Sequence, residues 1–265
     1  MHFYGDLKKM TTENSKPVRY ILDFENDFLE VNRLIGKKIS VKFTKKIKCF
    51  CGKLVDKVYR QNFCYDCYYK LPQASESIMK PELCKAHLGI EVRDLEWEKN
   101  FELAPHIVYL AVSSGLKVGI TRKTQIPTRW IDQGAEYAIE FAEVPNRYLS
   151  GKIEVALKQF VSDKTSWQKM LKGASPEVDL LEWKDKLYNE MPEDTKQYFL
   201  AERNEVHKQE FPIENYPEKV KSINLTKQDS FEGVLKAIKG QYLIFEGGMV
   251  FNVRSHEGYI VEFSF

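Results

Sequence analysis

The sequence predicts an α+β fold assembled from several small parts, and three observations lead to this prediction. Short segments rich in β-branched and aromatic residues occur near both ends of the 265-residue chain. Four cysteines form two close pairs in its first third, and its centre combines a strand hairpin with helical patterns. Hydrophobic residues make up 43% and charged residues 29%, which is typical of a globular protein and argues against bulk disorder.

We expect five parts along the chain, divided where the residue pattern changes. They are an N-terminal β element (1–47), a four-cysteine module (48–103), an α/β centre (104–175), a helical segment (176–218) and a C-terminal β domain (219–265).

The N-terminal element is predicted to be mainly β. Residues 20–24 and 39–43 have the β-rich, partly alternating pattern of strands. Residues 27–35 between them could form a helix that Gly36 ends.

The C-terminal domain is predicted to be a strand meander with a hairpin turn at Gly247-Gly248. The meander could close as a small barrel, or it could pair with the N-terminal strands, and the sequence leaves both arrangements open. His256 is expected in a surface turn of this domain. The predicted strands are 240–245, 249–254 and 259–263.

The cysteine pairs have the spacing of a metal site. Cys49 and Cys51 are separated by one residue, and Cys64 and Cys67 by two. Tetrahedral zinc takes two ligands from each of two tight turns, and Gly52 favours such a turn. Unrelated buried cysteines and a redox dithiol are the alternatives. A closed four-cysteine Zn²⁺ site would be structural rather than catalytic.

A further cysteine and a histidine have a ligand-like spacing. Cys84 and His87 could replace one of the four ligands or belong to a second site. A free buried thiol beside a surface histidine is the simpler interpretation.

The centre begins with a predicted hairpin. Residues 106–112 and 116–121 have strand patterns on either side of a Ser-Ser-Gly turn. Pro127 fits the first turn of a helix over 128–133 that Gly134 ends.

Two more helices are predicted after this hairpin. One begins at Ser150 or Gly151 and places Ile153 and Leu157 on one apolar face. Residues 179–188 form the other, an amphipathic helix within an acidic segment.

The centre resembles the GIY-YIG nuclease core. The resemblance covers about 70 residues and rests on Ile107-Val108-Tyr109, on Lys117-Val118-Gly119, and on the later Arg129 and Glu154. A wider set of strings that includes 129–135 and 163–167 resembles domain-of-unknown-function family 2797, which brings no established activity.

The nuclease resemblance implies a role for each matched residue. Tyr109 would help to activate the attacking water, Gly119 would leave room for the phosphate, and Arg129 would hold the scissile phosphate. Glu154 would bind one divalent metal, Mg²⁺ or Mn²⁺. Gln133 stands where many members have a histidine or tyrosine, and with Gly119, Thr121 and Arg122 it is a candidate for substrate binding.

The sequence also departs from the nuclease pattern. Lys117 replaces the tyrosine of the second motif, and His106 stands where the first motif has glycine. Tyrosine titrates near 10, so Tyr109 could act only if nearby cations lowered its pKa, and Lys117, Arg122 and Arg129 are the candidates. The competing interpretation is a strand tyrosine beside a structural pair of Arg129 and Glu154.

Charge is unevenly distributed although the formal net charge is only +2. Between residues 36 and 70 there are ten basic and two acidic residues. Such a segment could follow a phosphate backbone, and a solvated strand face is an equally good interpretation.

Three functions are therefore in competition. The first is a metal-dependent endonuclease that cuts DNA or RNA. The second is a non-catalytic, zinc-containing nucleic-acid-binding protein that uses the basic segment, Lys45, Lys46 and Lys48 above all. The third is a protein-interaction scaffold that uses the acidic helices after Pro176.

The sequence also predicts a location. No stretch approaches the ~18 apolar residues that span a bilayer, and the first residues lack a signal-peptide pattern. We expect a cytoplasmic protein with no membrane partner, whose cysteines are thiols or metal ligands rather than disulfides.

Overall fold

The protein divides into two compact units in a computed structural model that describes residues 1–24, 27–162 and 164–265. One unit contains Met1–Tyr68, Leu171–Gly173 and Gln209–Phe265, and the other contains Tyr69–Met170 and Ala174–Lys208. The mixture of helices and several sheets confirms the α+β class.

The first unit contains the chain's terminal strands and the second contains the central ones. The strands are β1 (His2–Asp6), β2 (Thr11–Glu13), β3 (Arg19–Phe24), β4 (Asp27–Glu30), β5 (Lys38–Lys48), β6 (Leu54–Val55), β7 (His106–Val112), β8 (Leu116–Arg122), β9 (Tyr137–Val144), β10 (His207–Lys208), β11 (Lys221–Ile223), β12 (Ser230–Lys239), β13 (Tyr242–Phe245), β14 (Met249–Asn252) and β15 (Tyr259–Ser264). The α-helices are α1 (Tyr65–Lys70), α2 (Leu95–Glu102), α3 (Thr128–Asp132), α4 (Arg147–Leu157), α5 (Trp167–Lys172) and α6 (Leu180–Tyr188).

The main sheet of the first unit joins the two ends of the chain. Its strand order is β1-β15-β5-β12-β13-β14-β11, with β6 paired to β5. Alternate residues of β5 are buried, among them Ile39 and Val41, so one face of this strand belongs to the core. β5 pairs with β15 on one edge and with β12 on the other, and Val41 lies between Phe263 and Phe231.

The C-terminal strands do not close into the predicted small barrel. The first half of β12 pairs with β5 and its second half pairs with β13. The edge that would have closed a barrel is therefore occupied by the N-terminal strand, and the path from β1 to β11 is open in the described part of the chain.

The helix predicted over residues 27–35 is wrong. These residues form β4 and a 3₁₀ turn over Val31–Leu34. Leu29 is buried in β4 opposite Leu22, and the Asn32 side chain accepts from Tyr20 N and donates to Val18 O. Tertiary pairing with β3 therefore outweighs the local helical pattern.

His256 is buried rather than exposed in a surface turn. Its Nδ1 donates to Asn252 O at 2.8 Å and its Nε2 accepts from Leu225 N at 3.2 Å. Burial lowers its pKa, so the neutral ring is part of the core.

The second unit is built on a sheet of order β10-β9-β7-β8. The predicted hairpin is confirmed as β7 and β8, with Tyr109 opposite Gly119. Every residue of β7 is buried, because both faces of this strand are covered. Ile107, Tyr109 and Ala111 pack near Trp130 on one face, and Val108 and Leu110 belong to the core that contains residues of α4 and α6.

The helices of this unit follow their sequence signals closely. Gly134 ends the α3 segment with a φ of 64°. α4 begins at Arg147, three residues before Ser150, because the Asn146 side chain caps it by accepting from Leu149 N at 2.9 Å. Asp179 caps α6, which confirms the amphipathic helix. No helix among the described residues has the length and apolar character that crossing a bilayer requires.

Candidate functional site

The four paired cysteines lie together in the first unit. One sulfur from each of Cys49, Cys51, Cys64 and Cys67 lies within 4.8 Å of all the others. A tetrahedral zinc with Zn–S bonds of about 2.3 Å places its sulfurs about 3.8 Å apart, so the cluster fits a structural zinc ion. Within residues 1–24, 27–162 and 164–265 this is the one group of three or more such side chains that could hold a metal.

A tight loop and the start of a helix bring these cysteines together. Residues 49–53 form a tight loop in which Gly52 has a φ of 86° and its N–H donates to Cys49 O at 2.7 Å. The second pair stands at the start of α1, which carries Cys67, rather than in a second tight turn. The module is therefore a loop and a helix beside the β5–β6 hairpin.

Backbone N–H groups prepare two of the four thiols, those of Cys51 and Cys64, for a metal. The N–H of Lys53 lowers the pKa of Cys51 to about 7, and that of Cys67 lowers the pKa of Cys64. Cys64 N also donates to Cys49 Sγ at 3.1 Å. Such donors favour the thiolate form that binds zinc, whereas burial raises the pKa of Cys49 and of Cys67.

Cys84 and His87 do not join this cluster in the described residues. Cys84 is buried, and its surroundings raise the pKa of its thiol to about 12, through burial first and Glu102 second. His87 stacks on Tyr148 with ring centroids 4.3 Å apart.

A second candidate site lies on the β7–β8 hairpin. Tyr109 is fully buried and faces Gly119 across the strand pair. A Cβ at Gly119 would lie 2.6 Å from the Tyr109 hydroxyl, so only glycine leaves the tyrosine its position. The pairing of antiparallel strands explains why residues ten positions apart are in contact.

Gln133 holds the polar atoms of this second site together. Its Oε1 accepts from Tyr109 Oη at 2.9 Å and also from Lys117 Nζ. Lys117 Nζ donates in addition to Thr165 Oγ1 at 2.8 Å, and Thr165 in turn contacts Ser113. Thr165 has no sequence signal for this role, because it lies 48 residues from its partner.

Arg129 and Glu154 complete the cluster, and Arg147 borders it. The Arg129 guanidinium lowers the pKa of Tyr109 and the Glu154 carboxylate raises it, so both groups lie within electrostatic reach of the tyrosine. Glu154 also acts on Arg147, an arginine that the sequence did not single out. No group of three or more metal-ligand side chains in the described residues includes Glu154.

Burial changes the pKa values of Tyr109 and Lys117 in opposite directions. The pKa of Tyr109 is raised, because burial outweighs the nearby Arg129 that was expected to lower it. Burial, with repulsion from Arg129 second, lowers the pKa of Lys117 to about 7. Near neutral pH, Lys117 is therefore the group of this pair that can exchange a proton.

Other predicted site residues lie outside this set of contacts. Arg122 stacks its guanidinium on Phe101 at 5.1 Å, and Thr121 is a buried residue of β8 opposite Ile107. Asp163, in one of the family-like strings, lies outside the described residues.

The basic segment is partly neutralised, because four of its lysines pair with acidic residues outside it and Lys46 pairs with one inside it. Lys45 pairs with Asp229 at 2.9 Å, Lys46 with Asp56 at 2.6 Å and Lys48 with Asp6 at 3.1 Å. Lys38 and Lys42 also pair with glutamates. The net charge of the segment therefore overstates its positive potential.

Comparison with known proteins gives one family match. The model of the family described as "Protein of unknown function (DUF2797)" matches residues 36–261, which is more than half of the chain. No curated protein and no solved structure matches.

Proposed function

The chain belongs to the DUF2797 family, and from its own residues we propose that it is a nuclease-like protein that acts on phosphodiester bonds of DNA or RNA. One observation carries this proposal. Tyr109 and Lys117 both contact Gln133, and Arg129 and Glu154 lie within electrostatic reach of Tyr109; these four residues are among those that the GIY-YIG resemblance singles out.

Lys117 is the proposed proton acceptor. A neutral lysine amine has two N–H bonds and one lone pair. Its contacts with Gln133 and Thr165 use the two donors, which leaves the lone pair to accept a proton from water. A pKa of about 7 suits a general base at neutral pH. In this scheme Tyr109 orients the water rather than deprotonating it.

Arg129 and Glu154 supply the remaining roles. The half-buried Arg129 would stabilise negative charge as it grows on the phosphate. Glu154 would offer one carboxylate to Mg²⁺ or Mn²⁺, which would stabilise the leaving oxygen. Gly119 lacks a side chain at the point where the hydroxyl approaches the strand.

Burial of the central pair favours the second candidate, a non-catalytic, zinc-containing nucleic-acid-binding protein. Tyr109 is 0% and Lys117 3% exposed, so neither reaches bulk water in this conformation. On this hypothesis the polar cluster stabilises the second unit, and the zinc module supplies the contact with nucleic acid.

A cleavage assay separates the two candidates. The zinc-loaded protein is incubated with supercoiled plasmid, single-stranded DNA and structured RNA, with and without Mg²⁺ or Mn²⁺. The nuclease proposal expects metal-dependent cutting that Glu154→Gln and Lys117→Met abolish. Glu143→Gln is the matched control, because Glu143 is a half-buried carboxylate that pairs with Lys123 at 2.7 Å.

Each outcome assigns the function differently. Loss of cutting in both site variants but not in the control supports the nuclease. If all the proteins bind nucleic acid equally and in a salt-sensitive way but none cuts it, the nuclease proposal is overturned and the non-catalytic nucleic-acid-binding protein remains. Cutting that persists in Glu154→Gln shows that the carboxylate is not required.

A further inference from the structure

The zinc module displays aromatic side chains to solvent. Tyr59 is 53% and Tyr65 63% exposed. The Tyr59 ring centroid lies 5.4 Å from that of Tyr65 and 4.9 Å from that of Tyr68. Arg60 donates to Tyr68 Oη at 3.0 Å and lies over its ring. We call Tyr59, Arg60, Tyr65 and Tyr68 the tyrosine platform.

The same unit contains an open groove of about 810 Å³, whose lining includes Lys57 and Val58, the two residues that precede the platform in the sequence. Its floor includes Phe43 and Tyr259, whose ring centroids are 4.8 Å apart. Lys45, Lys46 and Lys57 stand among its lining residues, and Lys57 is two residues from the first tyrosine of the platform. The groove thus combines mostly buried apolar side chains with three lysines and two aspartates, Asp56 and Asp229.

A strained bulge directs two of these lysines. Ile47 pairs with Tyr259 and Phe43 with Val261, so β5 has extra residues opposite β15. Lys45 lies within this bulge with a φ of 65°, which is uncommon for a residue other than glycine. Bulges often redirect side chains near binding sites. The Lys45 and Lys46 side chains are 71% and 55% exposed, so their ion pairs with aspartates are weak and a phosphate can replace the carboxylates.

We propose that the tyrosine platform and the lysine groove together bind single-stranded nucleic acid. Unpaired bases expose their faces and can stack on Tyr59 and Tyr65, whereas a duplex hides those faces. The phosphates next to the stacked bases would meet Lys45, Lys46 and Lys57. This inference rests on the proposed action on nucleic acid, and it defines the strand type that the first unit recognises.

Fluorescence anisotropy tests the inference with labelled oligothymidylate and oligouridylate of about 12 nucleotides, within the site sizes usual for such surfaces. The zinc-loaded Glu154→Gln protein is used without Mg²⁺, so binding is measured separately from cleavage. Tyr59→Ala and Tyr65→Ala should each weaken binding about fivefold or more. Tyr4→Ala is the matched control, because Tyr4 is 68% exposed on β1 and lies outside the platform.

Salt dependence tests the groove. Three phosphate contacts predict a slope of about −2 in log affinity against log salt concentration, and Lys45→Gln combined with Lys46→Gln should reduce its magnitude to about 0.7. Zinc content is measured for every variant, so that loss of the module is not mistaken for loss of contact.

The outcomes are distinct from those of the cleavage assay. Preference for single strands over a duplex of equal length, lost in the platform variants and kept in Tyr4→Ala, supports the inference. Equal binding of duplex and single strands overturns it, as does single-strand binding that the platform variants leave unchanged. The inference is also overturned if the protein binds no oligonucleotide but associates with itself, and if Tyr59→Ala and Tyr65→Ala abolish this association. The platform would then be a protein interface. Metal-dependent cutting without platform binding refutes this inference alone.

Discussion

Gly119→Ala tests whether the close approach of Tyr109 is required. The added Cβ would lie 2.6 Å from Tyr109 Oη and 2.7 Å from Cζ. Nonpolar contacts are most favourable at about 3.5 Å or more, so the ring must retreat by about 0.8 Å. Tyr109 has no exposed surface, and the Trp130 ring centroid lies 6.0 Å from its own, so this retreat displaces core side chains.

The expected loss of stability follows from two costs. Overpacking a buried site costs about 1–3 kcal/mol, and a hydroxyl pulled away from Gln133 loses about 1 kcal/mol more. We therefore expect Gly119→Ala to reduce the free energy of unfolding of the second unit by about 2–4 kcal/mol. Urea denaturation followed by tryptophan fluorescence measures this change, since Trp130 is buried beside the tyrosine.

Two comparisons isolate the contact. Gly115→Ala is the control in the same hairpin, because an added Cβ there meets nothing within 4 Å, and its effect should stay within about 0.5 kcal/mol. In a Tyr109→Leu background, which lacks the hydroxyl and the outer ring, Gly119→Ala should cost less than about 0.5 kcal/mol. An equal cost of Gly119→Ala in both backgrounds would refute the reasoning.

Three further predictions concern the metal and the pH dependence of stability. Wild type should hold one zinc ion per chain. Cys67→Ser should lose this ion, and Cys84→Ser should keep it because Cys84 lies outside the cluster. Metal analysis, with an assay of the zinc that a chelator releases, checks both variants. His106 is buried with a pKa lowered to about 4, so the unfolded chain takes up the proton first as pH falls. The free energy of unfolding should decrease between about pH 6.5 and 4, by up to about 3 kcal/mol, and acid titrations in urea should show a smaller decrease in His106→Leu. Lys117 has a folded pKa of about 7, below its unfolded value, so the unfolded chain again binds more protons. Stability should rise from pH 7 to 10 in wild type and rise less in Lys117→Met, and equal slopes would contradict the burial argument.

Much of the local structure was predictable from the sequence. The β7–β8 hairpin, the Gly134 stop and the capped helix after Asp179 all depend on residues within a few positions of one another. β9 escaped prediction because a bulge interrupts its pairing with β7 between Val108 and Tyr109, and its burial then departs from the two-residue period. The region of 27–35 was misassigned because pairing with β3 overrides its helical pattern.

The candidate sites were likewise predictable only in part. The spacing of Cys49, Cys51, Cys64 and Cys67 predicted a cluster that the fold brings within binding distance. The spacing did not predict that the second pair stands at the start of a helix. The positive charge of residues 36–70 was also evident, but its partial neutralisation by Asp6 and Asp229, which lie outside the segment, was not.

The residue types, the hairpin and the cysteine pairs are properties of short stretches of chain, and the sequence alone determined them. The protonation of Lys117, the burial of Tyr109 and the participation of Thr165 were decided only by the tertiary structure. Each depends on side chains that lie many positions apart, such as Lys117 and Thr165, and on the exclusion of water around them. Desolvation and close contact arise only when the chain folds, so no local pattern records them.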